Sequence, residues 1–383
     1  MNFNIGINAS RARSGGAIAH LIGILHNLSR ETFNINSIHL WSFQELLLQI
    51  EASDFISIHN SSYLERSLVH QLFWERYILP NELKQSNCSI LLNVDAGSIC
   101  SFRPSVTICQ DMLPFEPEEI RRYPFSRELI RLLLLKHVHS ISMRSSNGVV
   151  FLSQYAQSTV ERIAGTFDNT AQIPHGIDQN FFLKRQVLKS DDPAPFRCIY
   201  VSNVLPYKHH WNVVEAIAGL RARGYSIELD LFGGGKGPAL DRLRAKISEH
   251  DPDGQFVRFS DFVPHDHLPS ILESCDIFIF ASSCENLPVT LLEAMATGLP
   301  IACSNRGPMP EVLVDGGVYF DPENPDSIAS AIEVLLAQPE KCQQLAARAR
   351  ELASRYSWRR CAEDTFSFIV QTALQSKDAH KIP

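Results

Sequence analysis

The sequence predicts an α/β protein built of two tandem doubly wound, Rossmann-like domains facing across a cleft. Three observations lead there. The chain has 383 residues, 45% hydrophobic and 20% charged, which suits two sizeable cores and excludes extended disorder. Strand-like and helix-like segments alternate along the whole length, and the strands are near-continuous apolar runs. That is the pattern of parallel sheets covered on both faces. Finally, several strands run directly into glycines or polar residues at their carboxyl ends, where open α/β sheets bind ligands.

In the first half, FNIGINAS (3–10) is a strand that meets Gly15–Gly16 and then a helix. SILLNV (89–94), VTICQ (106–110) and GVVFLS (148–153) are further strands. SRELIRLLLLKHVHSISMR (126–144) reads mainly as a core helix with a basic edge of Arg127, Arg131, Lys136 and Arg144. A basic amphipathic helix also suits peripheral contact with an anionic membrane. Residues 176–195 lack periodicity and read as a linker. The expected domains are therefore 1–180 and 181–356, with 357–383 a C-terminal helix and tail packing on the first domain.

The second half is tidier. FRCIYVSNV (196–204) is a strand followed by the helical HWNVVEAIAGLRARG. SIELDLFGGG (226–235) enters glycines and then the helical PALDRLRAKISEH. QFVRFSDFV (255–263) precedes a short helix ending near Ser274, and DIFIFASSC (276–284) precedes a helix closed by Gly298. PIACSN (300–305) is another strand. In the tail, Trp358, Ala362, Phe366, Ile369 and Ala373 fall at near-helical spacing.

The net charge of −7 excludes a generic nucleic-acid binder. Residues 1–190 carry 17 basic and 16 acidic groups, and the remainder 18 and 26, so only the first half approaches an anionic surface easily. The nine cysteines are scattered without any CxxC and read as reduced thiols used as small hydrophobes. The N-terminus lacks the basic head and apolar core of a signal peptide. No uncharged apolar run reaches the ~18 residues of a bilayer span. The expected location is cytoplasmic, or peripheral at the inner face of the membrane.

The sharpest chemical pattern is CENLPVTLLEAMATG, residues 284–298. Glu285 sits at the carboxyl end of a buried strand. Leu287–Pro288–Val289–Thr290 opens a helix whose free amides form an anion site. Glu293 lies one turn further in, where a lone carboxylate is costly to bury without a partner. A sugar's vicinal hydroxyls would serve. The plainer alternative has Glu285 capping the helix and Glu293 facing solvent.

Lys208 follows a strand, where an ammonium reaches phosphate or simply stays solvated. Gly15–Gly16 lets backbone approach a ligand closely, or makes an ordinary turn. Gly233–Gly234–Gly235–Lys236–Gly237 matches neither a Walker loop nor a dinucleotide fingerprint, and reads as a tight turn. Asp111 follows a strand, where it would orient or deprotonate an acceptor hydroxyl, or cap a turn. Asp251-Pro252-Asp253-Gly254 is nominally a DxD, but it lies at the amino end of the next strand and has turn composition. His209–His210 and His265-Asp266-His267 lack zinc-site spacing. No catalytic metal is expected.

The E-x7-E of Glu285 and Glu293, set in E-N-L-P-V-T-L-L-E-A-M-A-T-G-L-P, resembles the signature of family-4 retaining glycosyltransferases of GT-B fold. The resemblance implies that Glu285 contacts the donor sugar near the reacting centre and Glu293 the ribose. It gives the diphosphate to the intervening amides, within the donor-binding stretch Asn286, Leu287, Pro288, Val289 and Thr290. Lys208 matches the donor-phosphate lysine, and Asn203 stands where the family usually has arginine. Gly15 and Gly16 match glycines that close over the donor. Gln110 replaces the histidine usual before Asp111, which with Glu285 fills the catalytic positions. Val263 belongs to the loop 261–265 (Asp261 to His265), whose backbone holds the base. His175–Gly176 matches an interdomain turn.

The implied activity is transfer of a hexose, of mannose or glucose type, from a nucleoside-diphosphate sugar to a hydroxyl of a glycan or lipid-linked glycan. The implied route retains configuration and needs no cofactor. Bacterial surface-polysaccharide assembly is the implied setting. The alternatives are an epimerase or hydrolase of sugar nucleotides on the same fold, or an inactive sugar-nucleotide-binding protein. A nicotinamide-dependent oxidoreductase lacks its G-x-G-x-x-G here.

Overall fold

The computed structural model describes residues 2–13, 15–29, 32–50, 53–182 and 195–379. The chain divides into two compact units, Met1–Gly176 with Ser357–Pro383, and Ile177–Tyr356. Most of the expected linker, residues 183–194, lies outside the described residues. Its near side is not a bare linker. Gln179–Phe181 forms a 3-10 turn capped by Asp178, and Phe181 is buried.

The first unit holds a sheet of seven parallel strands: β1 (Phe3–Asn8), β2 (Ile35–Ser42), β3 (Ile56–Asn60), β4 (Ile90–Asn93), β5 (Ser105–Ile108), β6 (Gly148–Phe151) and β7 (Thr170–Gln172). Their order is β3-β2-β1-β4-β5-β6-β7, so the winding reverses between β1 and β4. β4, β5 and β6 are buried along their whole length, which explains their unbroken apolar runs. Strands β2, β3 and β7 escape the sequence pattern because polar residues interrupt them, as in INSIHLWS.

The C-terminal helix Trp358–Ala379 belongs to this unit and buries Ala362, Phe366, Ile369 and Ala373. Gly176 makes room for its start, since a Cβ there would lie 2.1 Å from the Trp358 amide nitrogen. The helix Arg127–Ser145 corrects an expectation. It is not a core helix, for it buries only Leu132, His139, Ser142 and Met143. Ile130, Leu133, Leu134 and Ile141 are exposed. The run LIRLLLL is apolar all round, so periodicity alone does not show which side meets the sheet.

The second unit holds six parallel strands: β8 (Phe196–Val201), β9 (Ile227–Phe232), β10 (Val257–Ser260), β11 (Ile277–Phe280), β12 (Ile301–Ser304) and β13 (Val318–Phe320). The order β10-β9-β8-β11-β12-β13 reverses between β8 and β11. The fold is the expected doubly wound α/β class, repeated. β11 is wholly buried, and each side chain of IFIF removed from water adds about 1.5–3 kcal/mol of apolar driving force. The helices His210–Ala222 and Pro238–His250 fall on the expected segments. The helix Val289–Thr297 ends at Gly298, whose φ of 73° an L-residue adopts poorly.

All nine cysteines are free thiols, eight of them buried. Among the described residues, no helix is long and apolar enough to cross a membrane.

Candidate active site

In the second unit, the reversal of strand order leaves a crevice between the carboxyl ends of β8 and β11, the position at which doubly wound sheets hold ligands. The segment after β8 makes a 3-10 turn, Pro206–Lys208, and His209 then adopts a left-handed conformation with φ 49°. Four contacts lock this turn. The Tyr200 hydroxyl donates to the Lys208 carbonyl at 2.9 Å. The Ser283 amide donates to the Tyr207 carbonyl at 2.8 Å. His209 Nε2 lies 2.8 Å from Ser283 Oγ, and His210 Nε2 donates to the Ser202 carbonyl at 3.2 Å. Burial, with Lys208 nearby, holds His210 neutral down to about 3. Both histidines of this pair are therefore scaffold.

The turn delivers Lys208 to Glu285, and the two form an ion pair across the crevice. Both side chains are largely sheltered, and the ammonium also lies 5.4 Å from the Tyr207 ring and 5.8 Å from that of Phe280. Glu285 does not cap the following helix. Pro288 is the N-cap of Val289–Thr297, and it makes no side-chain cap hydrogen bond. Asn286, Leu287 and Pro288 are buried while Val289 and Thr290 are half-buried. Amide donors at a helix start, next to a lysine, suit an anion.

Glu293 does not face solvent either. It is 3% exposed, and its Oε1 accepts from His265 Nε2 at 2.7 Å. Its Oε2 is buried and has no hydrogen-bond partner among the described residues. Burial raises the Glu293 pKa, partly offset by His265. The bond to Glu293 in turn raises that of His265. The sequence offered His265 as a rejected zinc ligand and as the last residue of the loop expected to hold the base. No pattern links it to a carboxylate 28 residues away.

The remaining expected residues of this unit lie on neighbouring loops. Asn203 is exposed just after β8, and Val263 is half-buried after β10. The glycines after β9 form a tight turn. Gly233 has φ 132° and a Cβ there would meet the Ser202 oxygen at 2.1 Å, while Gly235 bridges to Val204. The nominal DxD is a cap. Asp251 accepts from the amides of Gln255, Phe256 and Val257 at 2.7, 2.9 and 2.7 Å. Among the described residues, no three His, Cys, Asp or Glu side chains converge as a metal-ligand set.

In the first unit, Gly15 is the N-cap of the helix Gly16–His26, and no side-chain cap bond is made among the described residues. Asp111 Oδ1 accepts from the Leu113 amide at 3.0 Å, so the turn-capping role is present. Burial raises its pKa, against the pull of His139 and the Leu113 amide. Gln110 Nε2 donates to His20 Nδ1 at 3.1 Å. His20 packs edge-on to His175 with ring centroids 4.7 Å apart, and burial holds it neutral down to about 4. His175 and Gly176 are thus packed structurally against His20 and Trp358.

Sequence reasoning also missed a polar cluster where β1 and β4 meet. Asn8 Nδ2 donates to Glu75 Oε1 at 2.8 Å and to Asn93 Oδ1 at 3.2 Å, and Arg11 pairs with Glu75 at 2.8 Å. Glu75 comes from the distant Trp74–Ile78 turn, so only the fold assembles the set.

Residues 182–352, which contain Lys208, Glu285 and Glu293, match the family model described as glycosyl transferases group 1. This stretch is a glycosyltransferase group 1 domain. The chain is 31% identical over 169 residues to the O-antigen chain mannosyltransferase B of Escherichia coli, covering 44% of each chain. It is 25% identical over 265 residues to a GDP-mannose-dependent alpha-(1-6)-phosphatidylinositol monomannoside mannosyltransferase of Mycobacterium tuberculosis, covering 64% of this chain and 67% of that one. The matched stretch thus spans under half of the first relative and about two thirds of the second. The crystal structure of Anabaena HepE in complex with UDP and glucose superposes with a TM-score of 0.71 at 18% identity over 100% of both chains. That likeness concerns the fold, which is the GT-B class of two Rossmann-like units.

Proposed function

We propose that the group 1 domain binds a nucleoside-diphosphate sugar and that the whole chain transfers its hexose to a hydroxyl of a glycan or lipid-linked glycan. One observation carries the reading. Lys208 and Glu285 meet at the switch point of the second sheet, beside an uncapped helix start, with Glu293 buried one turn further in. A positive charge, free amides and two carboxylates in that order suit a diphosphate flanked by a hexose and a ribose.

In the proposed chemistry, the acceptor oxygen bonds to the anomeric carbon as the bond from that carbon to the diphosphate oxygen breaks. The acceptor proton passes to the leaving diphosphate on the same face, so configuration is retained. Lys208 and the amides of Val289 and Thr290 stabilise the charge that develops on the diphosphate, as preorganised electrostatics. Glu285 positions the hexose, and Asn203 is assigned to the donor diphosphate. Asp111, with Gly15 and Gly16 of the first unit, is assigned to acceptor and donor positioning, and Val263 to the base. Nothing in this scheme calls for a metal or other cofactor. The two mannosyltransferase relatives favour a mannose-type donor and a setting in surface-glycan assembly.

A second element of the reading concerns the acceptor's surroundings. On the helix Arg127–Ser145, the exposed Ile130, Leu134 and Ile141 share one face with the exposed Arg127, His137 and Arg144, the last also donating through Nε to the Ala164 carbonyl at 2.6 Å, while Glu128 turns aside to pair with Arg131. An outward face of apolar and basic residues suits a leaflet of anionic lipid. Phe125, 91% exposed, extends it.

The test is thermal shift with a panel of UDP-, GDP-, ADP- and dTDP-sugars, each in EDTA. Stabilisation by one nucleotide class, retained in EDTA and lost in Lys208→Ala and Glu293→Ala, is the expected result. Absence of a shift with every nucleotide removes the donor site.

A further inference from the structure

We infer that His265 is a displaceable cap on Glu293, so that sugar-nucleotide binding moves a histidine aside and releases a proton. The inference rests on the assignment of Glu293 to the donor ribose. A vicinal diol needs carboxylate oxygens it can reach, and here it reaches neither. Oε1 is taken by His265 at 2.7 Å, and Oε2 is buried without a partner among the described residues.

The two partners differ in freedom. Glu293 is fixed within a helix whose inner turns are fully buried. His265, in contrast, has a side chain 66% exposed and begins the short 3-10 turn His265–His267 after Pro264. Its ring leans on Phe181 at 5.4 Å. Rotating that ring outward breaks its hydrogen bond to Glu293 and exposes the carboxylate, whereas moving Glu293 would open the core. The orphaned Oε2 marks the place where a ligand hydroxyl is missing, because buried polar atoms otherwise find partners.

Charge makes the exchange proton-linked. The hydrogen bond to Glu293 raises the His265 pKa against the effect of burial, and the charges of Glu293, Asp178 and Asp266 add to the rise. When ribose hydroxyls replace the imidazole, His265 loses that support and returns toward its ordinary value. Between the two values the free protein holds a proton that the complex has shed. Affinity for the donor therefore climbs as pH rises through that interval.

Isothermal titration with UDP-glucose and GDP-mannose tests this, because their diphosphate diesters keep one charge state over the range. Titrations at about pH 6 and about pH 8, in buffers of different ionisation heat, count the protons. The expected wild-type result is binding several-fold to about tenfold tighter at the higher pH, with up to about one proton released. His265→Ala is expected to flatten the dependence and to bind at low pH at least as tightly as the wild type. An unchanged pH slope in His265→Ala, or loss of its binding at high pH, overturns the cap and leaves the donor site standing. Unimpaired binding by Glu293→Gln, or no binding of either nucleotide by the wild type, overturns the donor assignment itself and the cap with it.

Discussion

Lys208 and Glu285 form an ion pair that joins the carboxyl ends of β8 and β11, the two strands between which the second sheet reverses its winding. Each partner holds the other in place at low exposure. Under the proposed function, a diphosphate in this crevice competes with Glu285 for the ammonium and frees the carboxylate to meet the sugar.

Lys208→Ala is accordingly expected to lower kcat/KM at least ~10²-fold, the usual loss when a donor to developing charge is removed. It also strands Glu285 in a sheltered site, so a fall of a few degrees in Tm should accompany it. Steady-state kinetics and a melting curve on one preparation check both. Full activity in Lys208→Ala would remove this residue from the phosphate site.

Glu285→Gln separates binding from chemistry. Its shape is conserved but the charge is gone, so kcat should fall more than KM rises. If KM alone changed, Glu285 would be a binding group with no special role at the reacting centre.

Asp251→Ala addresses the nominal DxD. Three amides depend on this buried carboxylate, and losing them should cost about 2–4 kcal/mol. Burial pushes its pKa up, but the amides of Phe256, Val257 and Gln255 bring the net shift down. Its contribution is therefore present above the ordinary Asp range and is lost as pH falls through the depressed value. Denaturant melts of wild type and variant should converge in acid. Rescue of wild-type activity after EDTA by Mn²⁺ or Mg²⁺, absent in the variant, would instead mark a metal site.

Gly233→Ala should destabilise the second unit by on the order of 2–4 kcal/mol, because a methyl group there meets the Ser202 carbonyl and the backbone has positive φ. Gly237→Ala, also at positive φ but with open space around its Cβ, should cost less. Equal losses would show that crowding against Ser202 is unimportant.

For the exposed helix face, flotation with vesicles gives a direct readout. Wild type should float with vesicles rich in anionic lipid and not with neutral ones. Leu134→Gln with Ile141→Gln should lose flotation without a change in Tm, since both side chains lie in water. Arg127→Glu with Arg144→Glu should lose it in a salt-sensitive manner. Flotation unchanged in both doubles would assign membrane contact, if any, to another surface.

Much of this was legible in the chain. Continuous apolar runs such as IFIF and ILLN, bounded by glycine and polar residues, mark buried parallel strands. The spacing of Glu285 and Glu293 around a helix start marks a candidate ligand site because it combines a strand end with a helix N-terminus. Less was legible where burial is one-sided. β2 and β3 carry polar residues on their partly exposed positions, and the helix Arg127–Ser145 is apolar on its wet side.

What the sequence determined by itself was local: which segments form strands and helices, where glycines permit turns, and which charged residues stand at strand ends. Hydrophobic periodicity and backbone sterics act over a few residues, so a linear reading captures them. Only the tertiary structure decided that Lys208 meets Glu285 and that His265 covers Glu293, at separations of 77 and 28 residues. It likewise decided that Glu75 joins Asn8 and Arg11. Such pairs form because strand order brings distant loops to one edge of a sheet, and burial then makes each charged group take the partner it finds there.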